Sequence, residues 1–374
     1  LEISLSALTG AYMVGTLLAS IPQSYIGSIM DRIGIRRTMA VVVILLGGAC
    51  IFFSRVNSLV MLLIGFFLLR LLGQGALSLL SSNIPAMWFQ EKLGTVTGLV
   101  SGGFSLSMAL IPAFFLFLIN RNGWRLAYAK LGFMVWIIML PLMLFIFRNN
   151  PQEVNQVLDG GIKKQTPGVE QETDNHLVSY DPKEARKTPA YWIMMINSAL
   201  WAMIVTAVFF NLLPIFGSLG ISDAVAAATY TTYAAASLLT QILVGPIADR
   251  GPLQVLLLIC MGALAAGVAV LSLASSPWIA HSYAVLVGIS TGLISLVGGT
   301  IFARYYGRAH LGILRGGVLT AQVAGSSLGP FITGLIFDLS GSYLISLWIF
   351  VGLLIPAAIF SLRATQPPRI PAEA

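Results

Sequence analysis

A succession of apolar runs, each near the length that carries a helix across a bilayer, constrains this chain more than any other feature. A membrane helix needs about 20 mostly apolar residues to cross a hydrocarbon core of roughly 30 Å. Such runs fall near residues 6–28, 38–56, 58–82, 94–119 and 125–147, then near 191–216, 224–247, 253–275, 279–302, 313–336 and 342–362. Pro22, Pro112, Pro141 and Pro214 lie inside them and are tolerated, because neighbouring helices can satisfy the freed backbone groups. Only 9% of the 374 residues are Asp, Glu, Lys or Arg, and 57% are apolar. An ordinary soluble domain carries about 25% charged residues. The charge here cannot coat a water-facing surface, which excludes a cytosolic enzyme, a secreted disulfide scaffold, a disordered tail and a nucleic-acid-binding domain. Cys50 and Cys260 both fall in apolar runs and read as buried small hydrophobes. The fold class is therefore all-α, a polytopic membrane protein.

The one long polar stretch, 148–189, mixes acids (Glu153, Asp159, Glu170, Glu172, Asp174, Asp181, Glu184) with bases (Arg148, Lys163, Lys164, Lys183, Arg186, Lys187). It reads as a solvated linker between two membrane halves. The halves are duplicates. A shift of 218 positions lays Ile3-Ser4 on Ile221-Ser222, Tyr12 on Tyr230, Gln23 on Gln241 and Gly27 on Gly245. It also lays Asp31-Arg32 on Asp249-Arg250, Gly94 on Gly312 and Gly98 on Gly316. By this alignment the first run matches the second run of the later half, so the run at 191–216 has no partner. The chain opens on Leu1 with no signal-peptide pattern. It is expected to be a fragment lacking one N-terminal helix of a twelve-helix protein. The expected organisation is an N-terminal bundle over 1–147, a linker over 148–189 and a C-terminal bundle over 190–374.

Orientation follows from the basic residues, which concentrate in loops on the cytoplasmic side. Arg32, Arg36, Arg37, Lys92, the linker bases, Arg250, Arg304, Arg308, Arg315, Arg363 and Arg369 fall on one side. Arg55, Arg121, Arg125 and Lys130 fall on the other, with Arg70 inside a run. The linker and the C-terminus are thus expected in the cytoplasm, and the protein in the plasma (inner) membrane.

The loop after the first run reads Gly27-Ser-Ile-Met-Asp31-Arg32-Ile-Gly34-Ile-Arg36-Arg37, echoed by Gly245-Pro-Ile-Ala-Asp249-Arg250-Gly251. A Gly lets two helices approach, and a carboxylate at a helix end can accept bonds from another helix's first amides or from Arg. Such a latch would shut one side of the protein in one state and break in the other; the plainer alternative is a solvated turn. The loop resembles the signature of the major facilitator superfamily, Gly-x-x-x-Asp-Arg-x-Gly-x-Arg-Arg. Arg70-Leu-Leu-Gly-Gln74-Gly75 resembles the family's fourth-span motif. Several stretches are similar to the monocarboxylate-porter and oxalate/formate-antiporter branch: Trp88-Phe89 before Gly94 and Gly98, Thr188-Pro-Ala-Tyr-Trp192, Tyr305-Tyr-Gly-Arg308, Gly329-Pro330 and Asp338-Leu-Ser-Gly341-Ser-Tyr343. The resemblance implies two pseudo-symmetric six-helix bundles, with eleven of twelve helices in this chain, rocking around a central site. It implies gating roles for Gly27, Asp31, Arg32, Arg36, Arg37, Gly245, Asp249 and Arg250. It implies no cofactor, a small-molecule substrate, the lipid bilayer as surroundings and a coupling ion such as a proton. Two positions depart from that branch: Thr240 stands where an Arg is common, and Gln322 where dicarboxylate antiporters place a Lys. No Asp or Glu falls in mid-run to carry a proton.

Polar stripes point to a cavity. Arg70, Gln74 and Ser78 are spaced to share one face of a helix, as are Asn197 and Trp201, Thr291 and Ser295, and Gln322 and Ser326. Tyr230, Tyr233, Ser237 and Gln241 follow the same period. The expected binding residues are Arg70, Gln74, Asn197, Trp201, Tyr230, Thr291 and Gln322. An Arg at mid-membrane costs at least about 2.5 kcal/mol, so Arg70 must face water or partners. It either binds an anionic substrate or caps carbonyls of a neighbouring helix. As the one cation read as buried, it favours a small organic anion such as a monocarboxylate. A facilitator or efflux pump for neutral or amphipathic compounds is the alternative, and a transporter-like sensor a third reading of another class. Gly288-Ile-Ser290-Thr-Gly292 and Gly325-Ser-Ser327-Leu-Gly329 match the serine-hydrolase elbow by letter, but they lie in apolar runs and read as helix packing. His176, His281 and His310 have no metal-ligand spacing, so neither enzyme activity nor a metal site is expected.

Overall fold

Local chemistry sets where the apolar runs break. In the computed structural model, which describes residues 5–160 and 179–368, a left-handed Gly34 (φ 88°) separates α2 (Gln23–Ile33) from α3 (Ile35–Ser54). Such a φ favours a residue without Cβ. The first run is itself divided at Ile21–Pro22, with α1 covering Leu5–Ser20. Ser58 caps α4 (Leu59–Leu69) by accepting from the Met61 amide. The helix then widens to π geometry over Arg70–Leu77 before α5 (Ser78–Trp88). The runs at 94–119 and 125–147 form one long element, α6 (Leu93–Pro141), broken at Gly123 (φ 75°) and followed by a π-helical turn over Leu142–Ile146. The linker begins with short 3-10 turns at Pro151–Val154 and Leu158–Gly160 and ends with α7 (Pro182–Ala185). Lys163, Lys164, Glu170, Glu172, Asp174 and His176 lie outside the described residues, as do Ile3, Ser4 and Arg369.

In the second half Pro189 and Pro277 occupy the first turns of α8 (Pro189–Phe210) and α12 (Pro277–Tyr306), where a missing amide costs nothing. Asn211 ends α8 and starts α9 (Leu212–Ser218), so the run at 191–216 is bent. α10 (Asp223–Arg250), α11 (Leu253–Ser272), α13 (Leu311–Ser340) and α14 (Tyr343–Ser361) complete the set. Among the described residues, nine helices are long and apolar enough to cross a membrane, and Gly10–Ser20 is a shorter apolar helix.

α8, α10, α11, α12, α13 and α14 pack around a continuous buried core that includes Cys260, Leu264, Val297, Phe302, Tyr306 and Phe350. The first half has smaller cores around Met39, Val43 and Leu80 and around Phe53 and Leu62. Outward faces carry exposed apolar residues such as Ile137, Phe145, Leu243 and Ile359, as lipid contact requires. Cys50 and Cys260 are buried free thiols. The two halves meet along two seams, α2 against α13 and α6 against α10. The shift of 218 turns one seam into the other, so the pseudo-two-fold runs between them.

Glycine makes both seams close. A Cβ on Gly27 would collide with the Gly312 carbonyl, and one on Gly312 with the Gly27 carbonyl. In the other seam Gly94 lies against the Gly245 carbonyl and Gly245 against that of Gly94. One turn along, Gly316 meets the Gln23 carbonyl and Gly98 the Gln241 carbonyl, again an equivalent pair. Both serine-elbow letter matches are packing ridges: Gly288 and Gly292 lie against α10, and Gly325 and Gly329 against carbonyls of α8.

Candidate functional site

The start of a helix leaves amides without intrahelical partners, and at both seams an acid from the opposite half takes them. Asp31, near the end of α2, accepts from the Gly312 and Ile313 amides at 2.9 Å each, one per oxygen. Asp249, near the end of α10, accepts from the Gly94 amide on one oxygen. Its other oxygen takes the Thr95 amide at 3.1 Å and the Thr95 hydroxyl at 2.5 Å. The positive end of each helix dipole faces a carboxylate. Arg308 adds a third tie between the halves, donating to the Phe89 carbonyl at 3.0 Å.

The two ends of the linker dock on the same loops. Asp159 accepts from the amides of Gln90, Glu91 and Lys92 at 3.1–3.2 Å. Ser179 accepts from those of Arg308 and Ala309 at 3.2 and 3.3 Å, in the loop equivalent by the 218 shift. The seams therefore close the linker side of the molecule. Of the remaining gating candidates, Arg36 donates to the Met143 and Leu144 carbonyls at 3.0 and 2.5 Å and so fastens α3 to the π-helical turn that follows α6. Arg32, Arg37 and Arg250 are exposed and, among the described residues, make no hydrogen bond across a seam, so of the motif's charges the two aspartates form the latch.

The Arg36 amide donates to Asn149 Oδ1 at 2.9 Å, and Asn149 in turn gives its side-chain amide to Glu153 at 2.6 Å. That bond is the main reason the Glu153 carboxyl is held below the usual range. A carboxyl with a depressed folded pKa stabilises above its unfolded value, near 4.3, and loses the contribution as pH falls through the folded value. Amide-exchange protection at Asn149, corrected for intrinsic rate, is expected to stay flat from pH 7 to about 5 and to fall below about 4. Glu153→Gln should abolish that acid step.

Beyond the seams lies a cavity of about 510 Å³ between the halves. Gln74, Ser78, Ser101 and Ser105 line it from the first half; Trp201, Ser237, Gln241, Thr291, Ser295 and Gln322 line it from the second. Gln74, Trp201, Thr291 and Gln322 are thus brought together as the helical spacing suggests. Asn197, Tyr230 and Arg70 are not on its wall. Asn197 is 2% exposed and donates to Ser361 Oγ at 2.8 Å, facing α14. Residues four apart on an α-helix differ by about 40° in direction, enough to send Trp201 into the cavity and Asn197 away from it. Tyr230 is 42% exposed, stacks on Phe209 and donates to the Phe209 carbonyl at 3.2 Å, while Tyr233 lines the cavity instead. Arg70 lies 4.5 Å over the Tyr12 ring of α1. Arg70 opens the π-helical stretch, and its guanidinium packs on the Tyr12 ring rather than reaching the cavity that Gln74 lines.

The charge at the cavity is Arg315. It is 5% exposed, in the second turn of α13, and lines the wall. Its guanidinium donates to the Ser82 carbonyl at 2.6 Å, to Asn83 Oδ1 at 2.8 Å and to the Gly299 carbonyl. Among the described residues lining the cavity there is no Asp, Glu or Lys. The expectation that Arg70 is the one buried cation is corrected accordingly. In the sequence Arg315 reads with the basic residues of the adjoining loop because it stands near the start of its run, whereas the helix starts at Leu311 and buries it. The 218 shift pairs it with Thr97, another lining residue, and that was the available signal. Among the described residues, three polar atoms of this wall are buried without a hydrogen-bond partner: Thr97 Oγ1, Trp201 Nε1 and Arg315 Nε.

The family model for the Major Facilitator Superfamily matches residues 2–218 and again 211–374. Among solved structures, the human organic anion transporter MFSD10 (TETRAN) superposes with TM-score 0.70 at 12% identity, covering 95% of this chain and 83% of that one. The proton:xylose symporter XylE gives TM-score 0.70 at 16% identity, covering 96% and 87%. The E. coli fucose:proton symporter FucP gives 0.68 at 12% identity, covering 97% and 98%. At these identities the likeness is one of fold. An uncharacterized 38 kDa protein in a 23S RNA operon of Thermoproteus tenax is 24% identical over 271 residues, 72% of this chain. The chain spans 62% of the length of that relative.

Proposed function

The chain belongs to the Major Facilitator Superfamily, and from that premise we propose that it is a secondary transporter that carries a small organic anion, such as a monocarboxylate, by alternating access. One observation supports this substrate class above others: a buried arginine in the wall of a cavity with no carboxylate among its described lining residues. Arg315, Gln74, Trp201, Thr291 and Gln322 form the proposed binding wall. In the proposed organisation residues 1–147 and 190–374 are the moving bundles, 148–189 is the linker, and the linker side is cytoplasmic, following the distribution of basic residues. Asp31 and Asp249 serve as paired latches on that side, so the arrangement described here faces outward.

Uptake in proteoliposomes tests the reading. Labelled acetate, pyruvate and lactate should accumulate or exchange faster than sugars or amphipathic cations. A second reading, transport of neutral polar compounds, is favoured by the many hydroxyl and amide side chains of the wall. Uptake of polyols with no response to any carboxylate would select it.

A further inference from the structure

The partners of Arg315 do two jobs at once. The residue springs from α13 of the second half, yet Ser82 and Asn83, which accept from its Nη1, belong to α5 of the first half. The bonds therefore cross the interface that must part when the linker side opens. Every oxygen that holds the guanidinium is neutral. A buried cation with only neutral partners is under-compensated. A carboxylate in the same place makes shorter and stronger bonds in a planar, two-pronged geometry.

The wall offers the place. Arg315 Nε, Trp201 Nε1 and Thr97 Oγ1 are buried on one cavity and have no partner among the described residues. Thr97 adjoins the arginine's own surroundings, since its methyl group packs on Gly299, whose carbonyl accepts from Arg315 Nη2. Unpartnered N–H groups beside a buried positive charge ask for an acceptor that carries negative charge, not for an amine or a cation.

We infer that Arg315 is the residue that couples binding to opening: the carboxylate of the transported anion enters on the Nε edge, takes the guanidinium from Ser82 and Asn83, and so unfastens the two halves on the linker side. This rests on the anion reading above and deepens it. A ligand shifts a two-state equilibrium only by binding one state more tightly. Here the open form binds more tightly, because in it the arginine is no longer shared with the opposite half. Without ligand the same bonds keep the linker side shut.

The test reads affinity and opening separately. Affinity for pyruvate and acetate is measured by titration calorimetry on purified full-length protein. Opening is read from the alkylation rate of Ala86→Cys, a fully buried position near the linker-side end of α5. Pyruvate should accelerate alkylation in the otherwise unaltered protein. Arg315→Gln should bind ten- to a hundred-fold more weakly, alkylate fast without ligand and no longer respond to it. Asn83→Ala removes a competitor and spares the arginine. It should also alkylate faster without ligand, yet bind pyruvate about three- to ten-fold more tightly. Loosening in both variants with opposite changes in affinity is a result that a purely structural arginine does not produce. Unchanged affinity in monodisperse Arg315→Gln, or equal or weaker affinity in Asn83→Ala, overturns the coupling while leaving anion transport standing. Where Arg315→Gln fails to fold, Asn83→Ala decides alone. Absence of any carboxylate binding by the unaltered protein, with binding of neutral polyols, overturns the anion reading and the coupling together.

Discussion

Valine at Gly27 or at Gly245 is expected to abolish transport while leaving the protein able to insert and fold. At both positions the facing atoms are backbone: Gly312 across one seam, Gly94 and Thr95 across the other. Backbone cannot swing aside as a side chain can, so the added carbons must push two helices apart. Overpacking of this kind costs about 1–3 kcal/mol where a neighbour can yield, and more where it cannot. In the proposed rocking motion the seams part as the linker side opens, so the strain falls on the shut state. The transporter should be trapped open on the linker side, with turnover at background. Valine at Gly334, which has nothing within 4 Å, is the control and should transport normally. Alkylation of Ala86→Cys measures the trapped state directly. Fast alkylation with Gly27→Val and slow alkylation with Gly334→Val is the expected pair of results; equal rates would show that the seams do not govern opening.

Asp31→Asn and Asp249→Asn should each slow turnover five- to thirty-fold with substrate affinity kept within a few-fold. Each carboxylate offers two oxygens to the opposite helix start, both in use. Asparagine keeps one oxygen; its NH2 group is a donor and must turn away from the second amide. The charge that faced the helix dipole is also lost. A bond to a charged group contributes about 1.5–3 kcal/mol, and part of it survives through the remaining oxygen, leaving a bias of about 1–2 kcal/mol. Because the latches are equivalent under the pseudo-two-fold and close together, the double variant should be far slower than either single one. Stopped-flow exchange of labelled pyruvate gives the rates, and calorimetry the affinities. Lost binding with unchanged rate would remove the latch role from both residues.

The features of the fold that the chain carries in itself are one-dimensional. Run length and scarcity of charge determine that the chain is a set of membrane helices: a bilayer leaves the backbone only helices or a closed barrel, and runs of about 20 apolar residues are twice the length of a barrel strand. A constant offset of 218 residues pairs Gly27 with Gly245, Asp31 with Asp249, and Gly94 with Gly312. That pairing alone places the seams in equivalent positions, and the structure shows each as the image of the other.

The direction each polar side chain takes is a different matter, settled by what packs across from it. Trp201 and Asn197 share a spacing but not a destination, since Ser361 of α14 is at hand to hold the asparagine. Arg70 is the conspicuous charge inside an apolar run of the sequence, yet the Tyr12 ring of α1 takes its guanidinium, a contact that no spacing along one helix reveals. Arg315 reads in the sequence as a loop charge, because it follows the start of a helix by only a few residues. Its burial depends on α5, more than 200 positions away, supplying the oxygens of Ser82 and Asn83 across the interface. Hydrophobic length and repetition belong to the chain. Whether a charge at a helix end faces water or another helix belongs to the assembled halves, because only a partner brought close in space can replace the water it gives up.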